Sequence, residues 1–210
     1  MPTSQSALRA ASYVINDWQI SGIWSGQRVG SNVTEGNSSV PSKAYTVGFS
    51  YQNGGGNMNL TGSPDYAARI RVVGDPGSGC SSDLLRQFKT AAFQGPLTNS
   101  FGLESGNSYL KGCFISTLDL AIARNIRLGG TRNFQIRAEA FNALNAAGVI
   151  GRNTTLNLTS PNDPVTPQNL PFDASGNPIA TRIIPRGAGF GVANNFQNPR
   201  TMQLQLRFSF

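Results

Sequence analysis

Histidine is absent from this chain of 210 residues. That excludes Ser-His and Cys-His nucleophile arrangements and counts against a zinc site. Cysteine occurs only at Cys80 and Cys113, without metal-ligand spacing, and a disulfide formed in an oxidising compartment is the preferred reading over two free thiols. Charge is also scarce: 13% of residues are Asp, Glu, Lys or Arg, against a usual share of about 25%. No run approaches the ~20 apolar residues of a membrane helix. The N-terminal MPTSQSALRAASY has no apolar core of the kind a secretory signal needs, so any export signal is expected to lie outside these residues.

Acidic residues are the scarcer sign, 10 against 17 Lys and Arg, giving a net charge of +7. The arginines are scattered singly from Arg9 to Arg207, with no basic run and no basic helix face. A phosphate-binding footprint needs clustering, so no nucleic-acid partner is expected. What the chain has in quantity is Gly (24) and Pro (12), with many Asn. That profile favours β-structure with long polar loops.

Four stretches alternate apolar and polar residues with the period of a strand. In the first, near 12–26, Trp18, Ile20, Gly22 and Trp24 share a parity opposite Gln19 and Ser21. In the second, near 114–128, Leu118, Leu120 and Ile122 oppose Thr117, Asp119 and Ala121. In the third, near 132–144, Phe134, Ile136, Ala138 and Ala140 oppose Gln135, Arg137 and Glu139. The fourth, near 200–210, places Met202, Leu204, Leu206, Phe208 and Phe210 opposite Gln203, Gln205, Arg207 and Ser209. Helix competes for RAEAFNALNAA, whose Ala, Glu and Leu are good helix formers. Strand is retained because the alternation begins upstream at Phe134 and because Gly129-Gly130-Thr131 reads as a hairpin turn.

Each stretch is longer than the usual strand of about 5 to 6 residues and suits a tilted bilayer crossing. The connections are unequal: a short turn joins the second and third strands, whereas long loops fill 27–113 and 145–199. Short turns at one end and long loops at the other are expected of an outer-membrane barrel. Residues 1–11 then form a periplasmic turn or mark a truncation point. The fold class expected is all-β: a segment of an antiparallel transmembrane barrel, its last strands, with long extracellular loops. The apolar parity would face outer-membrane lipid and the polar parity the lumen, with Arg207, Arg137, Glu139 and Asp119 inward. Arg124 has the outward parity near the periplasmic end of its strand. The competing reading is a secreted or surface β-sandwich acting as an adhesion or carbohydrate-binding module, since it shares the same alternation.

No catalytic or cofactor-binding constellation stands out. Asp119 with Glu139 reads as lumen electrostatics, and the glycines at 54–56 and 187–191 as loop or strand-entry glycines rather than phosphate cradles. Asn-x-Ser/Thr matches at Asn32, Asn37, Asn59, Asn153 and Asn157 are expected by chance in an Asn-rich chain. Residues 44–55 are a candidate further strand or hairpin, and 159–178, dense in Pro, Asn and Asp, are expected to be irregular. Tyr45, Phe49, Tyr51, Asn53 and Asn57 are the candidate extracellular ligand surface. Phe208 and Phe210 suit an aromatic girdle at the periplasmic boundary.

The runs DWQISGIWSGQ, NGGGNMNLTGSPDYAARIRVVGDPGSGC, LDLAIARNIRLGGTRNFQIRAEAFNALN and GFGVANNFQNPRTMQLQLRFSF are spread along the chain from Asp17 to Phe210. They resemble the C-terminal end of a TonB-dependent outer-membrane receptor of the Oar-like branch, whose members resemble carboxypeptidase regulatory-like domains at their N-termini. The resemblance implies that Phe210, with Phe208 beside it, belongs to the signal read by the barrel-assembly machinery. Such receptors have a barrel of about 22 strands, a plug, and N-terminal segments that contact TonB. It thus implies a fragment that relies on the remainder of barrel and plug.

Overall fold

The computed structural model describes residues 16–28, 32–35, 38–41, 44–45, 48–51, 69–97, 110–160 and 162–210. The chain divides into two compact units. The first draws on Met1–Gly26, Ser116–Ala147 and Asn198–Phe210, the second on Gln27–Ile115 and Gly148–Gln197.

The first unit is built on a four-stranded sheet of Trp18–Arg28, Phe114–Gly129, Arg132–Phe141 and Thr201–Ser209, each strand beside its predecessor in the chain. They contain 11, 16, 10 and 9 residues, in or above the range of about 9 to 11 that crosses a bilayer at a tilt. The third strand pairs antiparallel with both the second and the fourth. Asp17 accepts a hydrogen bond from the N–H of Asn125 at 3.3 Å, and five residues on, Gly22 approaches the Leu120 side chain. The first and second strands therefore also run in opposite directions. Gly22 allows that close approach: a Cβ would sit 3.0 Å from Leu120 Cδ2 and press that side chain aside.

Strand ends follow backbone features that alternation does not encode. Asp17 has φ of +66°, and the first strand starts after it at Trp18 and continues to Arg28; residues 12–15, the start of the predicted stretch, lie outside the described residues. Asn142 has φ of +50°, so the third strand stops at Phe141, short of the predicted 144. Gly129 and Gly130, with φ of +97° and +60°, form the predicted hairpin turn, a conformation that costs little only for glycine. A bulge follows between Arg132 and Asn133.

The second unit differs from the expectation of two long extracellular loops in that both connections contribute to one core, while the strand expected within 44–55 is present as Ala44–Tyr45 and Gly48–Tyr51. Its strands are short. Val149–Arg152 pairs with Ala193–Phe196, Thr155–Leu158 runs parallel to Gly48–Tyr51, Ala44–Tyr45 pairs with Leu110–Lys111, and Arg71–Val72 with Phe93–Gln94. Asn32–Glu35 and Ser38–Pro41 form a further hairpin. Ile70, Phe88, Phe93, Leu110, Leu156, Leu158 and Phe190 form the buried cluster. Its rings meet edge to face, Phe88 lying 5.7 Å from Phe93 and 5.3 Å from Phe190 between centroids. Each such side chain contributes about 1.5 to 3 kcal/mol on burial, enough to hold a unit with so little regular sheet. Cys80 and Cys113 are disulfide-bonded, with Cα atoms 4.9 Å apart. The 159–178 segment has only isolated bridges, Leu158 with Pro167 and Phe172 with Pro178.

Candidate functional site: the two faces of the sheet and their ends

Register turns the alternation into rows across the sheet. Leu120, Ala140 and Met202 form one row; Ile122, Ala138 and Leu204 the next; then Arg124, Ile136 and Leu206; then Ile126, Phe134 and Phe208. Ile20 joins the first rows from the first strand, and the small Ala138 and Ala140 leave a shallow furrow between Ile20, Leu120, Ile122 and Met202. This face is uncovered: Ile20 is 75% exposed, Met202 70% and Leu204 68%. An uncovered apolar patch of this extent marks a surface meant for a nonaqueous or protein environment. A β-sandwich would bury these side chains beneath a second sheet.

Arg124 is the charged residue in those rows. Its guanidinium lies 5.4 Å over the Trp18 ring, an attraction that offsets part of the cost of holding a cation on an apolar face. Trp18 and Arg124 stand toward the hairpin end of the sheet, where a tryptophan and a snorkelling arginine suit the lipid headgroups.

The opposite face carries Gln135, Arg137 and Glu139, in register with Arg207, Gln205 and Gln203 on the fourth strand. Arg137 Nε donates to Glu139 Oε1 at 2.8 Å, and Gln203 Nε2 donates to Glu139 Oε2. Asp119 and Glu139, singled out as a possible acid pair, are engaged separately: Asp119 Oδ1 accepts the N–H of Asn142 at 2.8 Å. Ile23 is the apolar exception on this parity of the first strand and is exposed.

The two ends of the sheet differ. At the hairpin end, Asn133 pairs with Ser209, so Phe208 and Phe210 lie beside the turn. Their rings are 6.1 Å apart, and Phe210 is 92% exposed.

At the other end the sequence Phe141-Asn142-Ala143-Leu144-Asn145 makes a polar knot. Asn142 is 5% exposed. Its Nδ2 donates to the carbonyls of Ala146 (3.0 Å) and Asn198 (2.9 Å), and its Oδ1 accepts the N–H of Ala146. Ala143 N–H donates to the Leu118 carbonyl, and Asn145 Oδ1 accepts the N–H of Arg200 at 3.0 Å. One turn thus ties the second, third and fourth strands together. Sequence reading placed these residues within the resemblance but assigned them no role. The signal available was a pair of asparagines, residues that tolerate positive φ, three positions apart at the end of an alternating run.

In the second unit, Tyr45 pairs in the backbone with Leu110, and Phe49 and Tyr51 with Leu156 and Leu158. Asn53 and Asn57 lie outside the described residues. Among the described residues no group of His, Cys, Asp and Glu is placed to hold a metal ion, and no helix is long and apolar enough to cross a membrane.

An antiparallel meander of bilayer-length strands, apolar on one face and polar on the other, is the wall of a transmembrane β-barrel. The family model described as an outer membrane beta barrel domain matches residues 2–203. The chain belongs to that family, and its place is the bacterial outer membrane. No curated protein and no solved structure matches it.

Proposed function

We propose that the chain supplies the C-terminal strands and outer loops of a TonB-dependent receptor barrel of the Oar-like kind, which takes up a large or scarce solute when complete. The observation that carries this reading is the open sheet. Among the described residues its first and fourth strands each have a strand neighbour on one side only, and a backbone edge left unpaired in lipid would cost several kcal/mol per polar group. Neighbouring strands therefore satisfy those edges, and a multistrand receptor barrel with its plug is a source of them. The hairpin end, with Phe208 and Phe210, is periplasmic in this reading, and the terminal aromatic is offered to the barrel-assembly machinery. TonB would act through N-terminal segments of the complete receptor. No catalytic role is assigned, since without histidine the sequence offers no Ser-His or Cys-His arrangement.

The test is energy dependence. Cells carrying the complete receptor should lose uptake when a protonophore discharges the inner-membrane gradient. Uptake that continues unchanged would indicate a passive channel and overturn the receptor assignment.

A further inference from the structure

The second unit contains a cleft of about 590 Å³, within the range of about 300 to 1,000 Å³ typical of small-molecule sites. One wall is the segment from Pro76 to Ala91, the other is Leu170–Asp173. Phe88, Leu85, Leu170 and Phe172 make it largely apolar. Two cations, Arg86 and Lys89, stand in it. The Arg86 guanidinium lies 4.3 Å over the Phe172 ring and so bridges the two walls.

Its charges are unequally committed. Among the described residues neither Arg86 nor Lys89 has a carboxylate within ion-pair distance. Asp173, the one carboxylate among the described residues that line the cleft, is already hydrogen-bonded: its Oδ1 accepts the N–H groups of Ser175 and Asn177, each at 2.9 Å, and its Oδ2 accepts Asn177 Nδ2 at 3.2 Å. The cleft is thus cationic toward a ligand.

Both walls are also fixed in advance. Asp83 and Ser81 cap consecutive turns, Gln87 Nε2 donates to the carbonyls of Ser81 and Asp83, and Lys89 N–H donates to Pro76. The Cys80–Cys113 disulfide anchors the start of this wall. Opposite, Arg182 Nη1 donates to the Leu170 carbonyl at 3.1 Å and Ile179 N–H to Pro171 at 2.8 Å. Walls already held in place lower the ordering cost of binding.

We propose that this cleft binds a small carboxylate with a flat apolar body, its ring stacked beside Arg86 and Phe172 and its charge met by Arg86 and Lys89. This deepens the uptake reading by naming a solute class. Binding to the purified chain is nevertheless measured without transport, so the two stand or fall separately.

The probe is 6-fluoro-2-naphthoate, followed by its fluorine NMR signal against the full chain folded in dodecyl maltoside micelles. The neutral 6-fluoro-2-naphthamide serves as the uncharged comparison. Saturable binding at one site per chain is expected, with Arg86→Gln or Lys89→Gln weakening the acid by about tenfold and leaving the amide little changed. Arg186→Gln, outside the cleft, should bind like the parent and so control for net charge. Equal binding of acid and amide, or affinity unaffected by both cleft substitutions, would show partition into micelles or another site and overturn the assignment.

Discussion

Asn142 combines a left-handed backbone with three side-chain hydrogen bonds in a buried position. Asn142→Gly keeps the backbone and removes the bonds, whereas Asn142→Ala removes the bonds and adds strain. At about 1 kcal/mol per bond, the glycine variant should lose about 2 to 4 kcal/mol in denaturant titration, and the alanine variant about 1 kcal/mol more. Equal stability of parent and glycine variant would show that the knot contributes nothing. On the lipid face, Leu204→Arg near the middle of its strand should cost about 2 to 4 kcal/mol, while Gln205→Arg on the other face should cost little. Reversal of that order would exchange the two faces. The Asp173 carboxyl is held below its ordinary value, first by the backbone N–H and then by the side chain of Asn177. A depressed folded value contributes stability above the unfolded value of about 3.9, and that contribution is lost as pH falls through the folded one. Protection factors at Ser175 and Asn177, measured against the intrinsic exchange rate at each pH, should therefore fall in strongly acidic buffer, and Asp173→Asn should show the lower protection already at neutral pH.

At the scale of elements, the four long strands were legible because lipid on one side and polar surroundings on the other impose an uninterrupted period of two. Phe134 to Ala140 and Met202 to Phe208 obey it without exception. The second and fourth strands and the start of the third fall within about a residue of the alternating stretches, whereas the end of the third and the start of the first did not follow from the alternation, since Asn142 and Asp17 bound those strands through backbone conformation rather than side-chain polarity. Of the second unit, strand in 44–55, the irregular 159–178 segment and the Cys80–Cys113 link were legible, but its core was not, because it joins residues far apart in sequence, such as Phe88 with Phe190 and Leu156 with the Gly48–Tyr51 strand. Neither partner carries a periodic pattern long enough to announce it. The same separation hid the cleft, whose walls lie about eighty residues apart. The Cys80–Cys113 link closes a loop with a sequence separation of 33, for which chain entropy predicts about 3 to 4 kcal/mol. Paired Cys80→Ser and Cys113→Ser substitution should lower the unfolding free energy of the second unit by that amount while the tryptophan signal of the sheet, from Trp18 and Trp24, stays in place. Coincident loss of both signals would mean that the two units unfold as one.

For the whole molecule, the central claim is that the uncovered apolar face is covered by lipid. A sheet with Leu204 and Met202 exposed to water, and with two edges that no strand among the described residues covers, is a poor soluble species and a natural piece of barrel wall. The most direct measurement is refolding of the chain with and without dodecyl maltoside micelles, recording β-sheet circular dichroism, particle size and accessibility of a thiol-reactive label at Leu204→Cys in a background with Cys80 and Cys113 replaced by serine. The account predicts that the sheet signal needs micelles and that the label site is shielded by detergent. A monodisperse folded monomer in plain buffer, with residue 204 shielded by protein alone, would contradict it.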